Sequence, residues 1–132
     1  TALHIACKFQ AIHCIPIIID QAGSEILSKG DTNGWSPLHY CAIYDSSLVA
    51  HYLISKGVSK DEKDIQLHTP LHWASYYGNA EMVMYLLNQG ADKNAQDDCG
   101  CTPLHRACMK GHIEVVRQLC FHRANLLTKD AM

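Results

Sequence analysis

Residues 102–108 read TPLHRAC, and three earlier stretches of the chain nearly repeat them. Residues 69–75 read TPLHWAS, residues 36–42 read SPLHYCA and residues 1–7 read TALHIAC. Successive stretches begin 35, 33 and 33 residues apart. Self-similarity at a fixed period of about 20 to 50 residues is typical of solenoid proteins, in which each copy is one supersecondary unit. The sequence therefore predicts four stacked copies of one structural unit.

Each copy has the signals of two helices joined by a turn. A Thr or Ser hydroxyl can cap the amino terminus of the first helix, and the proline after Thr69 and Thr102 suits the first helical position. Gly78 and Gly111 then allow the chain to reverse. The second helix has apolar residues at i, i+1, i+4 and i+5, which form one face. In the third copy these residues are Met82, Val83, Leu86 and Leu87. Neighbouring copies must stack, because one helix pair cannot bury this face alone.

The T-P-L-H-x-A core at a period of 33 residues resembles the ankyrin repeat, and the resemblance covers the whole chain. It implies an all-α repeat solenoid of stacked helix-turn-helix repeats with projecting β-hairpin fingers, whose turns contain Gly34 and Gly100. Leu67 replaces the glycine of the finger between them, which predicts a less regular turn. Pro16 is expected to interrupt a second helix. We expect a single domain over residues 1–132, with approximate repeats at 1–30, 31–63, 64–96 and 97–132.

Four histidines recur at one position of the repeat, namely His4, His39, His72 and His105. The ankyrin resemblance implies that each imidazole ties backbone groups of the finger and the first helix. Packed helices lie about 8–10 Å apart, whereas a zinc–nitrogen bond is about 2.1 Å long. Equivalent histidines of neighbouring repeats therefore cannot share one metal ion.

The cysteines separate into two groups. Five fall at small or apolar positions of the repeat, so we expect burial of Cys7, Cys14, Cys41, Cys108 and Cys120. Cys99 and Cys101 instead flank Gly100 at a finger tip, where we expect exposed thiols that contact a partner or become oxidised. With His68 they are also candidate metal ligands. A structural zinc site needs four converging ligands, however, so no metal or other cofactor is predicted.

The composition and the motifs exclude several function classes. Of the 132 residues, 48% are hydrophobic and 18% are charged, which indicates a globular chain. A net charge of −2 does not favour binding to nucleic acid or to a membrane surface. No phosphate-binding loop or nucleophile motif is present, and no enzyme is predicted.

Seven cysteines without a regular framework favour a reducing compartment, the cytoplasm or the nucleus. We expect a monomeric internal slice of a longer repeat array.

The surface of the repeats is where function is predicted. In ankyrin proteins, partners dock on the concave face formed by the fingers and the first helices, so the resemblance implies a protein partner. The side chains expected there are Phe9, Trp35, Ile43, Tyr44, His68, Tyr76, Tyr77, Cys101, Met109 and Lys110. Tyr76 and Tyr77 either bind a partner or pack against the next repeat, and binding is favoured for Trp35. Tyr40 and Trp73 are expected to pack between repeats, and the charged residues 60–64 to form a solvated edge.

Finer resemblances suggest two specific roles. The stretches NGWSPLHYCA and LHRACMKG are similar to gankyrin-like chaperones of the proteasome regulatory particle, which implies binding to a proteasomal ATPase subunit. Asn94, in LLNQGADKNAQD, matches the context in which ankyrin repeats are hydroxylated on asparagine, although an unmodified turn residue is favoured. The remaining alternative is the ankyrin segment of a larger signalling protein or of an ankyrin-containing enzyme.

Overall fold

The computed structural model describes residues 1–28 and 30–122, which form four pairs of helices. The described α-helices are α1 (Ala2–Lys8), α2 (Ile15–Ala22), α3 (Pro37–Ile43), α4 (Ser47–Ser55), α5 (Pro70–Tyr77), α6 (Ala80–Asn88), α7 (Pro103–Lys110) and α8 (Ile113–Phe121), and a 3₁₀ helix (Ser24–Ser28) follows α2. None of these helices is long and apolar enough to span a membrane.

The helices pack in two rows, as expected for a solenoid. Helices α1, α3, α5 and α7 lie side by side and are called the inner helices below, while α4, α6 and α8 pack in the second row. Each inner helix contributes one buried leucine to a continuous core, and these are Leu3, Leu38, Leu71 and Leu104. The predicted stripe of α6 is also buried. The all-α repeat solenoid is confirmed.

The inner helices begin as the Thr-Pro-Leu-His pattern predicts. The Thr69 side chain accepts a hydrogen bond from the His72 backbone N–H, and Nδ1 of His72 accepts one from the Thr69 N–H at 3.1 Å. Thr102 and His105 form the same reciprocal pair. Two otherwise unpaired donors at the helix start are thereby satisfied, with histidine in the place that Glu or Gln usually takes in a capping box.

The other ring nitrogen of each histidine connects neighbouring repeats. Nε2 of His4 lies 2.8 Å from the carbonyl oxygen of Trp35. Nε2 of His72 lies 2.8 Å from the carbonyl oxygen of Cys101. For His39 the acceptor is the carbonyl of His68, at 2.9 Å. With Nδ1 accepting, Nε2 carries the proton and donates. The predicted structural role of these histidines is therefore seen in three successive repeats.

The fingers differ from the predicted β-hairpins in one respect. In the described residues they contain no β-strand, and each is a turn closed by two backbone hydrogen bonds. In the last finger these run from Asp97 N–H to the Cys101 carbonyl at 3.0 Å and from Gly100 N–H to the Asp97 carbonyl at 2.9 Å. One backbone hydrogen bond also joins each pair of adjacent fingers, from Ile65 N–H to the Asn33 carbonyl and from Asp98 N–H to the Gln66 carbonyl. Such short contacts are sufficient to position the finger tips but not to form a ladder.

Two local expectations are wrong. Leu67 has φ of 64°, close to 74° at Gly34 and 76° at Gly100, so its turn is as regular as the others despite the strain of a left-handed leucine. Pro16 does not interrupt α2, because the helix begins at Ile15 and the proline lies in its first turn. A proline there removes no intrahelical hydrogen bond.

The cysteines also require correction. Cys7 and Cys41 are buried as expected, but Cys14, Cys108 and Cys120 are exposed. Cys14 is the residue before α2 and so does not lie on its apolar face. Cys108 and Cys120 face the end of the described array, where no further described helix packs on α7 and α8. The position equivalent to Cys108 in the preceding repeat, Ser75, is completely buried.

Candidate functional site

Three aspartates at the bases of the fingers organise the site. Asp31, Asp64 and Asp97 recur every 33 residues, and the last two are buried. In the last finger, Oδ1 of Asp97 accepts hydrogen bonds from the backbone N–H groups of Cys99 and Cys101 at 2.9 and 3.0 Å. The expectation that Asp64 belongs to a solvated edge is therefore wrong. The 33-residue period of these aspartates was a signal that could have found their role.

The second carboxylate oxygen of each aspartate binds the inner helix of the same repeat. Asp64 accepts a hydrogen bond from Trp73 Nε1 at 2.9 Å, and Asp31 accepts one from the Tyr40 hydroxyl. Asp97 accepts two from the Arg106 guanidinium, at 2.6 and 2.9 Å. Burial would raise the pKa of Asp97, but Arg106 and the backbone donors outweigh it and lower that pKa below its usual value. Each finger is thus fixed to its helix by a carboxylate, which is buried at Asp64 and Asp97 and partly buried at Asp31.

Trp35 and His68 occupy one finger position in successive repeats, and both point towards the next repeat. Trp35 is half-buried, donates from Nε1 to Asp64 at 3.0 Å, and contacts the Trp73 ring edge-on at 5.2 Å between centroids. His68 is buried, with Nε2 lying 3.1 Å from a carboxylate oxygen of Asp97. These contacts give both residues a structural role between repeats, and His68 has little surface left for a partner.

Cys101, the third residue of this series, is fully buried, so the predicted exposed thiol is wrong. Its N–H donates to Asp97, and its carbonyl accepts hydrogen bonds from Asp97 N–H and from His72. The finger position shared by Trp35, His68 and Cys101 therefore points into the protein and not towards solvent at the finger tip. Cys99 remains partly exposed.

The other predicted residues form one continuous surface at the C-terminal ends of the inner helices. Two equivalent positions of each repeat supply it, and we call it the inner-helix strip: Lys8 and Phe9, Ile43 and Tyr44, Tyr76 and Tyr77, and Met109 and Lys110. Phe9 is 71% exposed, Tyr77 48% and Met109 51%. Lys8 is the member that sequence reasoning missed, although its equivalence to Met109 could have identified it.

Aromatic contacts hold the rings of the strip in place. The Tyr77 ring stacks on Trp73 at 6.1 Å with an interplanar angle of 23°, and it meets the Tyr76 ring edge-on at 5.1 Å. Tyr44 stacks on Tyr40 at 6.2 Å and 6°. Offset-stacked and edge-to-face arrangements are the favoured geometries of aromatic pairs. The exposed rings are therefore supported by partly buried ones beneath them.

An open groove of about 470 Å³ adjoins the strip between the third and fourth repeats. It is lined by Gln66, His68, His72, Trp73, Tyr76, Tyr77, Asp98, Cys99 and Arg106. Three predicted site residues, His68, Tyr76 and Tyr77, meet there, whereas Phe9, Ile43 and Tyr44 lie along the strip towards the first repeat.

The proposed metal ligands do not converge. In the described residues, the group with metal-ligand geometry is Asp97, Asp98 and Cys99, whose ligand atoms lie within 4.8 Å of one another. It contains neither Cys101 nor His68. Asp97 already accepts hydrogen bonds from two backbone N–H groups and from Arg106, so its lone pairs are engaged. This arrangement gives no support to a metal centre.

The comparison with protein families decides what kind of chain this is. A model of ankyrin repeats in three copies matches residues 1–64 and 59–130. The chain belongs to the ankyrin-repeat family. Ankyrin repeats are generic protein-interaction modules and are typically non-catalytic, so the family agrees with the absence of a nucleophile or phosphate motif from the sequence. A search of curated proteins finds no match.

Asn94, which matches the context of asparagine hydroxylation but is favoured as an unmodified turn residue, is an exposed residue of a turn. Its backbone N–H donates to Oδ1 of Asp92 at 3.0 Å. The modification itself stays a prediction.

Proposed function

We propose that this ankyrin-repeat chain binds a protein partner on the inner-helix strip and the adjoining groove, without catalysis. The main support for this proposal comes from Tyr77. Its side chain is 48% exposed, although its ring packs against both Trp73 and Tyr76 and is therefore held in one orientation. Tyrosine buries a large amphipathic surface at a low cost in conformational entropy, because few torsions must be fixed. A ring already held in position reduces that cost further.

The strip also has the composition of a binding surface. Aromatic residues and methionine are enriched at protein interfaces, and Tyr44, Tyr76, Tyr77 and Met109 are side chains of these types, with the apolar Ile43 beside Tyr44. Their rim is polar, with Gln66 and Asp98 on the finger side of the groove. An apolar centre with a polar rim is the usual anatomy of a protein interface.

Tyr77→Ala is the variant that tests this function with the least structural damage. Trp35→Ala is unsuitable, since it would remove a hydrogen bond to buried Asp64 and a contact with Trp73. A matched control is Met84→Ala on α6, because Met84 is 46% exposed but lies outside the strip. We expect both variants to retain the helical circular dichroism of the parent chain.

Quantitative affinity purification with mass spectrometry then compares the parent chain with the two variants. We expect proteins that are retained by the parent chain and by Met84→Ala, and that are reduced at least tenfold with Tyr77→Ala, as for truncation of a central aromatic contact. Retention of the same proteins at the same level by Tyr77→Ala would contradict the proposal.

The gankyrin-like alternative is a narrower form of this function. It predicts that an ATPase subunit of the proteasome regulatory particle is among the proteins lost with Tyr77→Ala. If no such subunit is retained by the parent chain, that alternative is wrong while protein binding at the strip stands.

A further inference from the structure

The inner-helix strip carries one lysine in its first described repeat and one in its fourth. Lys8 ends α1 and Lys110 ends α7, and the residues between them are apolar or aromatic. Nζ of Lys8 lies 5.6 Å from the centroid of the Phe9 ring and 5.5 Å from that of Tyr44. Nζ of Lys110 lies 4.7 Å from the Tyr76 ring centroid. Both ammonium groups are thus held against the rings of the strip.

Within the described part of the chain, neither lysine forms an ion pair. The nearby finger aspartates are not free to neutralise them. Asp64 and Asp97 are buried and already accept hydrogen bonds from the backbone, the tryptophans and Arg106. Asp98 is exposed, but it lies on the finger side of the groove. A carboxylate supplied by a partner would therefore complement each of the two lysines.

We propose that the partner surface is an extended protein segment with an apolar centre and an acidic residue at each end. This proposal rests on the function proposed above and specifies the chemistry of the partner. The strip is only two side chains wide in each repeat, which suits an extended chain better than a helix about 10 Å across. The apolar centre packs on Tyr44, Tyr76 and Tyr77, and the two carboxylates pair with Lys8 and Lys110.

The repeat geometry sets the spacing of the two acids. Three repeat steps separate Lys8 from Lys110, and packed helices lie about 8–10 Å apart, so the two lysines are about 24–30 Å apart along the strip. An extended chain rises about 3.3 Å per residue. The two acidic residues of the segment therefore lie about seven to nine positions apart.

Selection from a phage library of random 16-residue peptides tests this chemistry. The purified 132-residue chain serves as the target. We expect enriched peptides to contain Asp or Glu separated by about seven to nine positions, with apolar residues between them. Selected peptides are then synthesised with a fluorescein label, and their affinity is measured by fluorescence polarisation.

Charge reversal provides the decisive comparison. We expect Lys8→Glu and Lys110→Glu each to weaken the selected peptides at least tenfold, and sodium chloride raised from 50 to 500 mM to weaken binding to the parent chain. The matched control is Lys56→Glu. Lys56 also lies over an aromatic ring, 5.5 Å from the Tyr52 centroid, but it follows α4 outside the strip. This control should bind the peptides as the parent chain does.

Three results would overturn the proposal: no enriched peptides, enriched peptides without paired acids, or affinities unchanged by both strip variants. Lysine-dependent binding of a 20-base-pair DNA duplex in place of the peptides would also overturn it. If no peptide is enriched, the affinity purification with Tyr77→Ala described above still tests the broader function. If peptides are enriched but lack paired acids or do not depend on the lysines, their binding to the Tyr77→Ala variant shows whether the broader function also fails. If this variant loses the selected peptides, the strip binds protein and only the acidic pattern is wrong. If it keeps them, both proposals fail.

Discussion

At the scale of single residues, His72 shows how one neutral imidazole joins two repeats. Its Nδ1 accepts from the Thr69 N–H, and its Nε2 donates to the Cys101 carbonyl. Burial lowers the pKa of His72 to about 4, and a protonated ring would lose the acceptor that Thr69 requires. Between pH 6.5 and 4 the unfolded chain binds the proton and the folded chain does not. The free energy of unfolding therefore decreases as pH falls through this window, by about 1.4 kcal/mol per pH unit.

The variant His72→Gln removes this titration. We expect urea unfolding to show that the loss of stability between pH 7 and pH 5 is smaller by about 2 kcal/mol than in the parent chain. A remaining dependence comes from His39, whose pKa burial also lowers. The comparison uses the slope with pH, so that any constant cost of the substitution cancels. An identical slope in both proteins would refute the role of His72.

Two glycines have the same backbone conformation but different surroundings, so their alanine variants distinguish backbone strain from a steric clash. Gly78 and Gly111 both have φ of 71°. A Cβ at Gly78 would lie 2.5 Å from Nδ1 of His112, whereas one at Gly111 would have no atom of the described residues within 4 Å. Both alanine variants incur about 1 kcal/mol for a left-handed residue. Gly78→Ala must also displace His112, whose Nε2 lies 2.9 Å from the Tyr76 carbonyl oxygen.

We therefore expect Gly78→Ala to lower the free energy of unfolding by about 1–3 kcal/mol more than Gly111→Ala does, as for overpacking of a filled site. Urea denaturation of the two variants measures the difference directly. Equal losses would show that the His112 ring moves aside without cost.

At the scale of elements, the contact between finger and inner helix depends on a buried ion pair. Asp97 and Arg106 are joined at 2.6 Å, with the Asp97 side chain fully buried. Asp97→Ala removes one partner and leaves Arg106 and two backbone N–H groups without their acceptor. Breaking a buried pair in this way costs about 3–5 kcal/mol.

Glu114 and Arg117 provide the control, since they form a pair at 3.2 Å with both side chains more than half exposed. We expect Asp97→Ala to lower the free energy of unfolding by about 3 kcal/mol and Glu114→Ala to change it by less than about 1 kcal/mol. Similar effects of the two variants in urea unfolding would mean that the finger is not held by Asp97.

At the scale of the whole molecule, the features that recur in every repeat can be predicted from the sequence. The helix starts at Thr69 and Thr102, their histidines and the buried leucines follow from the repeated Thr-Pro-Leu-His pattern, because one local interaction recurs in each unit. The finger aspartates recur in the same way, but the charged neighbours of Asp64 at residues 60–63 favour a solvated edge when the period is left out. The charge of the neighbouring residues therefore predicts an exposed Asp64, although the Asp64 side chain is buried.

What the sequence does not predict depends on neighbouring repeats. The direction of Cys101 follows from the two hydrogen bonds that its backbone forms with Asp97, and these exist only once the finger has closed. Cys108 and Ser75 occupy equivalent positions, yet Ser75 is buried and Cys108 is exposed. Helix α7 of the next repeat packs on α5, which carries Ser75, whereas no further described helix packs on α7, which carries Cys108. No property of either side chain could reveal it.

The central claim, that a protein partner lies on the inner-helix strip, is tested most directly by site-specific photo-crosslinking. A photoreactive benzoylphenylalanine is introduced either at Tyr77 in the strip or at Met84 on α6, two positions of nearly equal exposure. After irradiation in cells, the crosslinked proteins are separated by mass and identified. We expect a discrete crosslinked partner from position 77 and none from position 84. Crosslinks from position 84 alone, or equal crosslinks from both, would contradict the claim.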